Sequence, residues 1–99
     1  MRLSLVMRTA DGQERSFPVN GERVVLGRHS RCDLRVALPS VDPQHCEILV
    51  NGEVARLRDL RSAGGTFHNG VRVVQAELAP DDRLTIGPVT FLIRIDLPA

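Results

Sequence analysis

The chain has 99 residues, a length that suits one domain and is too short for two. Its 42% hydrophobic and 25% charged residues are ordinary for a globular protein, and a formal net charge of +1 argues against nucleic acid or a membrane surface as a partner. No apolar run approaches the length of a membrane span, and the N-terminus lacks the apolar core of a signal peptide. We therefore expect residues 1–99 to form a single cytoplasmic domain.

The first half of the chain alternates short apolar segments with turn residues, which is typical of a β-sandwich or barrel. Pro18 predicts an edge strand, because proline cannot donate a hydrogen bond to a neighbouring strand. Asn51 and Gly52 predict a hairpin, because both central residues of a type I′ turn need positive φ. The predicted strands cover residues 3–8, 15–19, 23–27, 34–36, 45–50 and 54–58, with polar loops at residues 28–33 and 39–44.

The second half continues the same pattern. A loop of small residues at 62–65 is followed by a second hairpin signal at Asn69 and Gly70. Further strands are predicted at residues 66–68, 71–74, 83–86 and 89–95. No segment has apolar residues at helical spacing. The whole chain therefore predicts an all-β fold of about ten or eleven strands in two antiparallel sheets.

The cysteines and arginines bear on chemistry. Cys32 and Cys46 are too few for a disulfide framework, and neither has a neighbour at metal-ligand spacing. We expect both to be small apolar side chains in a reducing compartment, with no metal and no cofactor. All 13 basic residues are arginine. Arginine suits bidentate contact with phosphate or carboxylate, although a compositional bias of the source genome explains most of them equally well.

A series of short motifs is spread along most of the chain. It comprises Gly27, Arg28, Cys32, Asp33, Leu34, His45, Asp59, Leu60, Ser62, Gly65, Thr66, Phe67, Asn69, Gly70, Leu84, Thr85, Ile86, Gly87 and Phe91. In this order and spacing the chain resembles the forkhead-associated (FHA) family nearly end to end. The resemblance implies an eleven-stranded β-sandwich of the SMAD/FHA type, without enzymatic activity. Its apical loops would bind a partner protein, typically through a phosphothreonine in an extended peptide.

The resemblance assigns roles to individual residues. The phosphopeptide-binding positions map to Arg28, Ser40, Asp42, Ser62, Ala63 and Gly64. The positions that brace the loops map to Gly27, His45, Gly65, Thr66, Asn69 and Gly70. Arg28 retains the family's phosphate-binding guanidinium, and His45 is expected to brace the loops from inside.

Three of the binding positions depart from the family pattern. Asp42 stands where a serine hydroxyl would donate to phosphate, Ala63 replaces a second hydroxyl donor, and Gly64 replaces the asparagine that fixes the peptide backbone. A carboxylate about 5 Å from a phosphate repels it by about 3 kcal/mol per unit charge at an effective dielectric constant of about 20. These changes predict that phosphothreonine recognition is weakened or lost. Asp42 either forms an ion pair with Arg28 in the place of phosphate or points to solvent, and the sequence leaves both open.

Other residues of the same loops offer an alternative. His29, Ser30, Arg31, Ser40 and Arg61 can supply replacement donors or form a solvated polar rim. The principal hypothesis is a protein–protein interaction module in bacterial-type signalling or assembly that does not depend on phosphate. The alternatives are an atypical phosphothreonine-peptide reader and a structural domain within a longer chain. No nucleophile motif or phosphate-binding loop before a helix favours an enzyme, and the stacking aromatics of a nucleic-acid surface are lacking.

Overall fold

A computed structural model describes residues 2–9 and 11–96, so residues 1, 10 and 97–99 of the predicted domain lie outside the described residues. The described residues contain strands and no helix, as the alternating pattern predicts, and therefore no helix that can cross a membrane. The eleven strands are β1 (Arg2–Arg8), β2 (Glu14–Val19), β3 (Arg23–Gly27), β4 (Leu34–Arg35), β5 (Cys46–Asn51), β6 (Val54–Asp59), β7 (Thr66–His68), β8 (Val71–Arg72), β9 (Gln75–Glu77), β10 (Arg83–Ile86) and β11 (Val89–Asp96).

The strands form two sheets. One sheet has six strands in the order β2-β1-β11-β10-β7-β8, and the other has five in the order β4-β3-β5-β6-β9. The expected edge at Pro18 is confirmed, since β2 is the outermost strand of the six-stranded sheet. The predicted antiparallel sandwich is confirmed with one exception, because β3 and β4 run parallel with Leu26 opposite Leu34.

The core lies between the two sheets. Alternate residues along each strand point inward and lose their contact with water, which is the main favourable contribution to folding. Leu26, Ile48 and Leu57 from the five-stranded sheet and Leu84 and Ile93 from the six-stranded sheet are completely buried. The sandwich therefore gives the connecting loops a rigid base.

The two predicted hairpins differ in detail. At the second hairpin, Asn69 and Gly70 both have positive φ, at 50° and 84°, as a type I′ turn requires. At the first hairpin, Asn51 pairs with Val54, so the two-residue loop begins at Gly52 and not at Asn51. The sequence Asn51–Gly52 therefore predicted the first hairpin correctly but placed its turn one residue too early.

The segment predicted as one strand over residues 71–74 is shorter and is followed by an unpredicted strand. β8 ends at Arg72 in the six-stranded sheet, and β9 begins at Gln75 in the five-stranded sheet. Between them, the Val73 amide donates to Thr66 and the Val74 carbonyl accepts from Asp59. The run of valines thus crosses from one sheet to the other, a change of partner that local sequence cannot reveal.

Candidate functional site

Four connections meet at one end of the sandwich and are called here the apical loops: residues 28–33, 36–45, 60–65 and 87–88. Ser40 lies among them. A Cβ atom placed on Gly87 would fall 2.9 Å from the Ser40 hydroxyl oxygen, and one placed on Gly64 would fall 3.7 Å from the Ser40 carbonyl oxygen. The fold therefore brings together loops that are more than forty residues apart in the sequence.

A partly buried hydrogen-bonded network centred on Asp59 supports the loop at residues 60–65. The Asp59 carboxylate accepts from the Ser62 hydroxyl (2.6 Å), the Thr66 hydroxyl (2.7 Å) and the Ser62 amide (3.2 Å). Ser62 in turn accepts from the Gly65 amide at 3.0 Å. Burial opposes ionisation of Asp59, but the hydrogen bonds from Ser62 and Thr66 outweigh it, so the pKa of Asp59 is lowered. An ionised carboxylate thus fixes this loop from beneath.

His45 connects this loop to the loop at residues 36–45. Its side chain is completely buried, its Nδ1 accepts from the Asp42 amide (3.1 Å), and its Nε2 lies 2.8 Å from the Gly65 carbonyl oxygen. Because Nδ1 is an acceptor, the hydrogen-bond pattern assigns the ring proton to Nε2, which donates to Gly65. A neutral histidine therefore satisfies one backbone group from each loop.

Gly27 and the residues after it join the loop at residues 28–33 to the same layer. The Arg28 amide donates to the Asp42 carbonyl (2.9 Å), and the His29 amide donates to the Pro43 carbonyl (3.2 Å). The approach is so close that a Cβ atom on Gly27 would lie 2.3 Å from the Pro43 carbonyl oxygen. Glycine is therefore required at this position by space alone. We call Gly27, His45, Asp59, Ser62 and Thr66 the bracing layer.

Above the bracing layer lie four residues of the candidate pocket, which we call the rim: Arg28, Ala63 and Gly64, which are exposed, and Asp42, which is partly exposed. The Arg28 Nε donates to the Val41 carbonyl at 3.0 Å, while its terminal nitrogens make no hydrogen bond with the described residues. The Asp42 carboxylate accepts from the Ala63 amide at 3.0 Å. Asp42 and Arg28 form no ion pair, so the hypothesis that these two charges neutralise each other is wrong. A backbone amide, and not the guanidinium, is the partner of Asp42.

Two of the predicted bracing residues lie elsewhere. Asn69 and Gly70 form the turn between β7 and β8, at the end of β7 that is distant from Thr66. The Asn69 side chain accepts from the Arg83 amide (2.8 Å) and donates to Asp82 (3.1 Å). These contacts hold the start of β10, and the structure does not bring them to the apical loops.

Sequence inspection did not assign a site role to Asp59, the Val41 carbonyl or Arg72. A signal for Asp59 exists, because it continues the inward-facing positions of β6 after Ala55 and Leu57 and so places a carboxylate in a partly buried position. Arg72 packs on Gly65, where an added Cβ would lie 2.7 Å from the Arg72 Nε. Neither that contact nor the Val41 contact has a signal in the local sequence, because both join segments distant along the chain.

The described residues contain no group of three or more histidine, cysteine or acidic side chains placed to hold a metal ion. Both cysteines are free thiols, Cys46 buried and Cys32 partly exposed. Burial raises the pKa of Cys46 to about 12, which keeps this thiol protonated and unreactive at neutral pH. The rim offers hydrogen-bond donors, the Arg28 guanidinium and the Asp42 carboxylate.

Comparison with known proteins agrees with this architecture. The family model described as "FHA domain" matches residues 24–87. FhaA of Mycobacterium tuberculosis, an FHA domain-containing protein, is 29% identical over 92 residues, and mouse Ki-67, a proliferation marker protein, is 35% identical over 71 residues. The matches cover 93% and 71% of this chain but only 18% of FhaA and 2% of Ki-67.

Solved structures show the same fold. An FHA domain from a study of phosphothreonine-dependent FHA domain interactions superposes with a TM-score of 0.91 at 26% identity, covering 99% of this chain and 100% of that chain. The FhaA FHA domain in complex with the intracellular domain of Rv3910 superposes with a TM-score of 0.85 at 28% identity, covering 93% and 99%. With its matching motifs, its two-sheet sandwich and its braced apical loops, this chain belongs to the FHA family of protein-interaction domains.

Proposed function

We propose that this domain binds a partner protein through its apical loops without depending on phosphothreonine, and that its phosphothreonine recognition is weakened or lost. The observation that carries the proposal is the hydrogen bond from the Ala63 amide to the Asp42 carboxylate. An exposed backbone amide in such a loop is a natural donor to an anion, and here an anion of the chain itself already uses it.

Charge and hydrogen bonding both disfavour phosphate at this position. A phosphate placed between Arg28 and the Ala63 amide would meet the Asp42 carboxylate, with a repulsion of about 3 kcal/mol per unit charge at about 5 Å, reduced by salt. The two absent hydroxyl groups, at positions 42 and 63, each remove about 1.5 to 3 kcal/mol of charge-assisted hydrogen bonding. Because micromolar binding amounts to only about −8 kcal/mol, these losses suffice to remove it.

An atypical phosphothreonine reader is the second candidate. It is favoured by the terminal nitrogens of Arg28, which make no hydrogen bond with the described residues and so remain available to an anion. Neighbouring exposed groups at His29, Ser30, Arg31, Ser40 and Arg61 would have to supply the missing donors. The two candidates differ in whether binding requires the phosphate, which makes them separable by experiment.

The test restores the family's residues at the rim in the variant Asp42→Ser, Ala63→Thr, Gly64→Asn. The structure accommodates these changes, because a Cβ atom on Gly64 meets only the Ser40 carbonyl oxygen at 3.7 Å, and Gly64 is not among the residues with positive φ. In an NMR titration with a degenerate phosphothreonine peptide library, we expect no shifts in the original chain. We expect shifts at Arg28 and residues 62–65 in the triple variant. The unphosphorylated library should shift neither protein at these positions.

Two control variants show whether restored binding depends on the rim and on Arg28. Asp96→Ser removes the same charge at the end of β11 away from the apical loops and should not restore phosphopeptide binding. Arg28→Gln added to the triple variant should abolish the restored binding. Phosphate-dependent shifts in the unaltered chain would contradict the proposal and establish the second candidate.

The proposed setting is the cytoplasm, in bacterial-type signalling or assembly. It is supported by FhaA, whose FHA domain was solved in complex with an intracellular domain of another protein. Fractionation of cells that produce the native protein would test the compartment, and recovery in the extracellular fraction would contradict it.

A further inference from the structure

A groove outside the apical pocket lies where the outer face of the five-stranded sheet meets the loop at residues 28–33. It has a volume of about 160 Å³. Its lining consists of Arg23, Val25, His29, Arg31, Cys32, Asp33 and Gln44. We propose that this groove, called here the basic groove, binds an acidic, unphosphorylated segment of a partner protein. This is a second surface, and it does not depend on the proposal for the rim.

A buried carboxylate fixes Arg23 in position. Glu47 lies on the outward side of β5, yet it is completely buried, because Arg23 and Arg58 on the two neighbouring strands cover it. The Arg23 Nε donates to Glu47 Oε2 at 2.5 Å, and the Arg58 Nη2 lies 2.6 Å from Oε1. Both arginine side chains remain more than half exposed, at 57% and 53%.

This arrangement prepares Arg23 for a ligand. Glu47 uses the Nε of the guanidinium, and the two terminal nitrogens make no hydrogen bond with the described residues. A guanidinium presents several donors in one plane, so Arg23 can bind Glu47 and a second carboxylate together. Because Glu47 already restricts the rotamers of Arg23, a ligand loses less conformational entropy in binding it.

The two carboxylates near the groove already have partners within the domain. Asp33 is exposed, but its Oδ2 accepts from the Val25 amide at 2.9 Å, and Glu47 lies buried beneath its two arginines. In the loop at residues 28–33, His29 Nδ1 accepts from the Arg31 amide at 3.0 Å, which leaves the His29 Nε2–H as a donor. Among the exposed charged residues of the lining, Arg23 and Arg31 outnumber the single carboxylate of Asp33, so the groove carries a net positive charge that complements an acidic segment.

The lining also favours a peptide over a small ion. Val25 contributes an apolar floor, while Gln44 adds an exposed amide beside the two arginines. The two arginines of the lining come from different elements, Arg23 from the start of β3 and Arg31 from the loop at residues 28–33. Several carboxylates along an extended chain therefore match the surface better than one compact anion.

The experiment is an NMR titration of the chain with a short, unphosphorylated glutamate-rich peptide, beside the same peptide with every glutamate replaced by glutamine. We expect shifts at Arg23, His29, Arg31 and Gln44 with the first peptide only, and weaker binding as salt is raised. Arg31→Gln should weaken binding about fivefold, the effect of losing one solvent-exposed ion pair. The matched control Arg15→Gln removes an exposed arginine from β2 in the other sheet and should leave the affinity unchanged.

Two further variants keep the proposal falsifiable. Arg23→Lys preserves the charge but removes the planar fork, so we expect weaker binding without loss of the fold. Gln44→Glu places a negative charge in the groove and should weaken binding at least as much as Arg31→Gln. The absence of shifts in the groove, equal weakening by Arg15→Gln, or shifts confined to the rim would each overturn the proposal. The rim variant Asp42→Ser, Ala63→Thr, Gly64→Asn should bind the glutamate peptide unchanged, which separates this result from the test of the rim.

Discussion

The bracing layer and the rim lie against each other at the same end of the sandwich, yet they differ in how strongly the fold constrains them. Asp59, in the bracing layer, accepts three hydrogen bonds from two residues, whereas Asp42, at the rim, accepts one from an exposed backbone amide. His45 and Thr66 are completely buried, while Ala63 and Gly64 are exposed.

This difference explains how a binding domain can change its ligand chemistry and keep its shape. The bracing layer holds the loops through hydrogen bonds made beneath the rim, so the exposed side chains at positions 63 and 64 can change without altering those bonds. A rigid scaffold with exchangeable loop residues is the usual basis for variation in binding function. The three departures from the family pattern fall on the rim, which is the layer where they cost the fold least.

The largest contrast is expected between two glycines. Gly27→Ala would place a Cβ atom 2.3 Å from the Pro43 carbonyl oxygen, a backbone atom that cannot move without separating two loops. We expect a loss of about 3 kcal/mol in the free energy of unfolding, typical of overpacking against rigid neighbours. Gly64→Ala, with only one contact at 3.7 Å, should change it by less than about 0.5 kcal/mol. Urea unfolding of both variants measures the contrast, and equal effects would show that the two layers are constrained alike.

A smaller contrast is expected between the two aspartates. Asp59→Ala leaves the buried hydroxyl groups of Ser62 and Thr66 without their acceptor, and we expect a loss of about 3 kcal/mol or slightly less. Asp42→Ala exposes the Ala63 amide to water, so the expected loss is about 1 kcal/mol or less. The same unfolding measurement applies. A larger loss in Asp42→Ala than in Asp59→Ala would reverse our assignment of structural and rim roles.

The smallest expected effect is the dependence of stability on acid. The pKa of Asp59 and that of Asp82 are both lowered from the ordinary value of 3.8 in the folded protein. At Asp82, burial opposes the shift, but hydrogen bonds from His68, the Ala79 amide and Asn69 outweigh it. Each carboxylate therefore contributes stability above the unfolded pKa, and the contribution is lost as pH falls from about 4 through the folded pKa.

We accordingly expect the free energy of unfolding to be nearly constant between about pH 7 and pH 5 on account of these groups and to fall below about pH 4. Asp59→Asn and Asp82→Asn should each make the acid decrease shallower. A profile in Asp59→Asn identical to that of the original chain would show that this carboxylate has no part in acid stability.

Much of this arrangement could be predicted from the sequence, and the failures have physical causes. The strand pattern, the edge at Pro18 and the turn at Asn69 and Gly70 follow from local rules of alternation and backbone φ. The strand β9 was missed because it forms only by pairing with β6, and its own three residues carry no strand signal. The ion pair considered between Arg28 and Asp42 does not form, because the Asp42 carboxylate accepts a hydrogen bond from the Ala63 amide instead.

The sequence by itself determined the all-β class, the order of the family motifs, the retained guanidinium at Arg28 and the three altered rim positions, because these depend on residue type and spacing alone. Only the tertiary structure decided which donor Asp42 contacts, that Asn69 and Gly70 lie away from the apical loops, and that Glu47 is buried beneath Arg23 and Arg58. Each of these depends on which distant segments the two sheets bring within hydrogen-bonding distance, and that is set by packing across the whole domain.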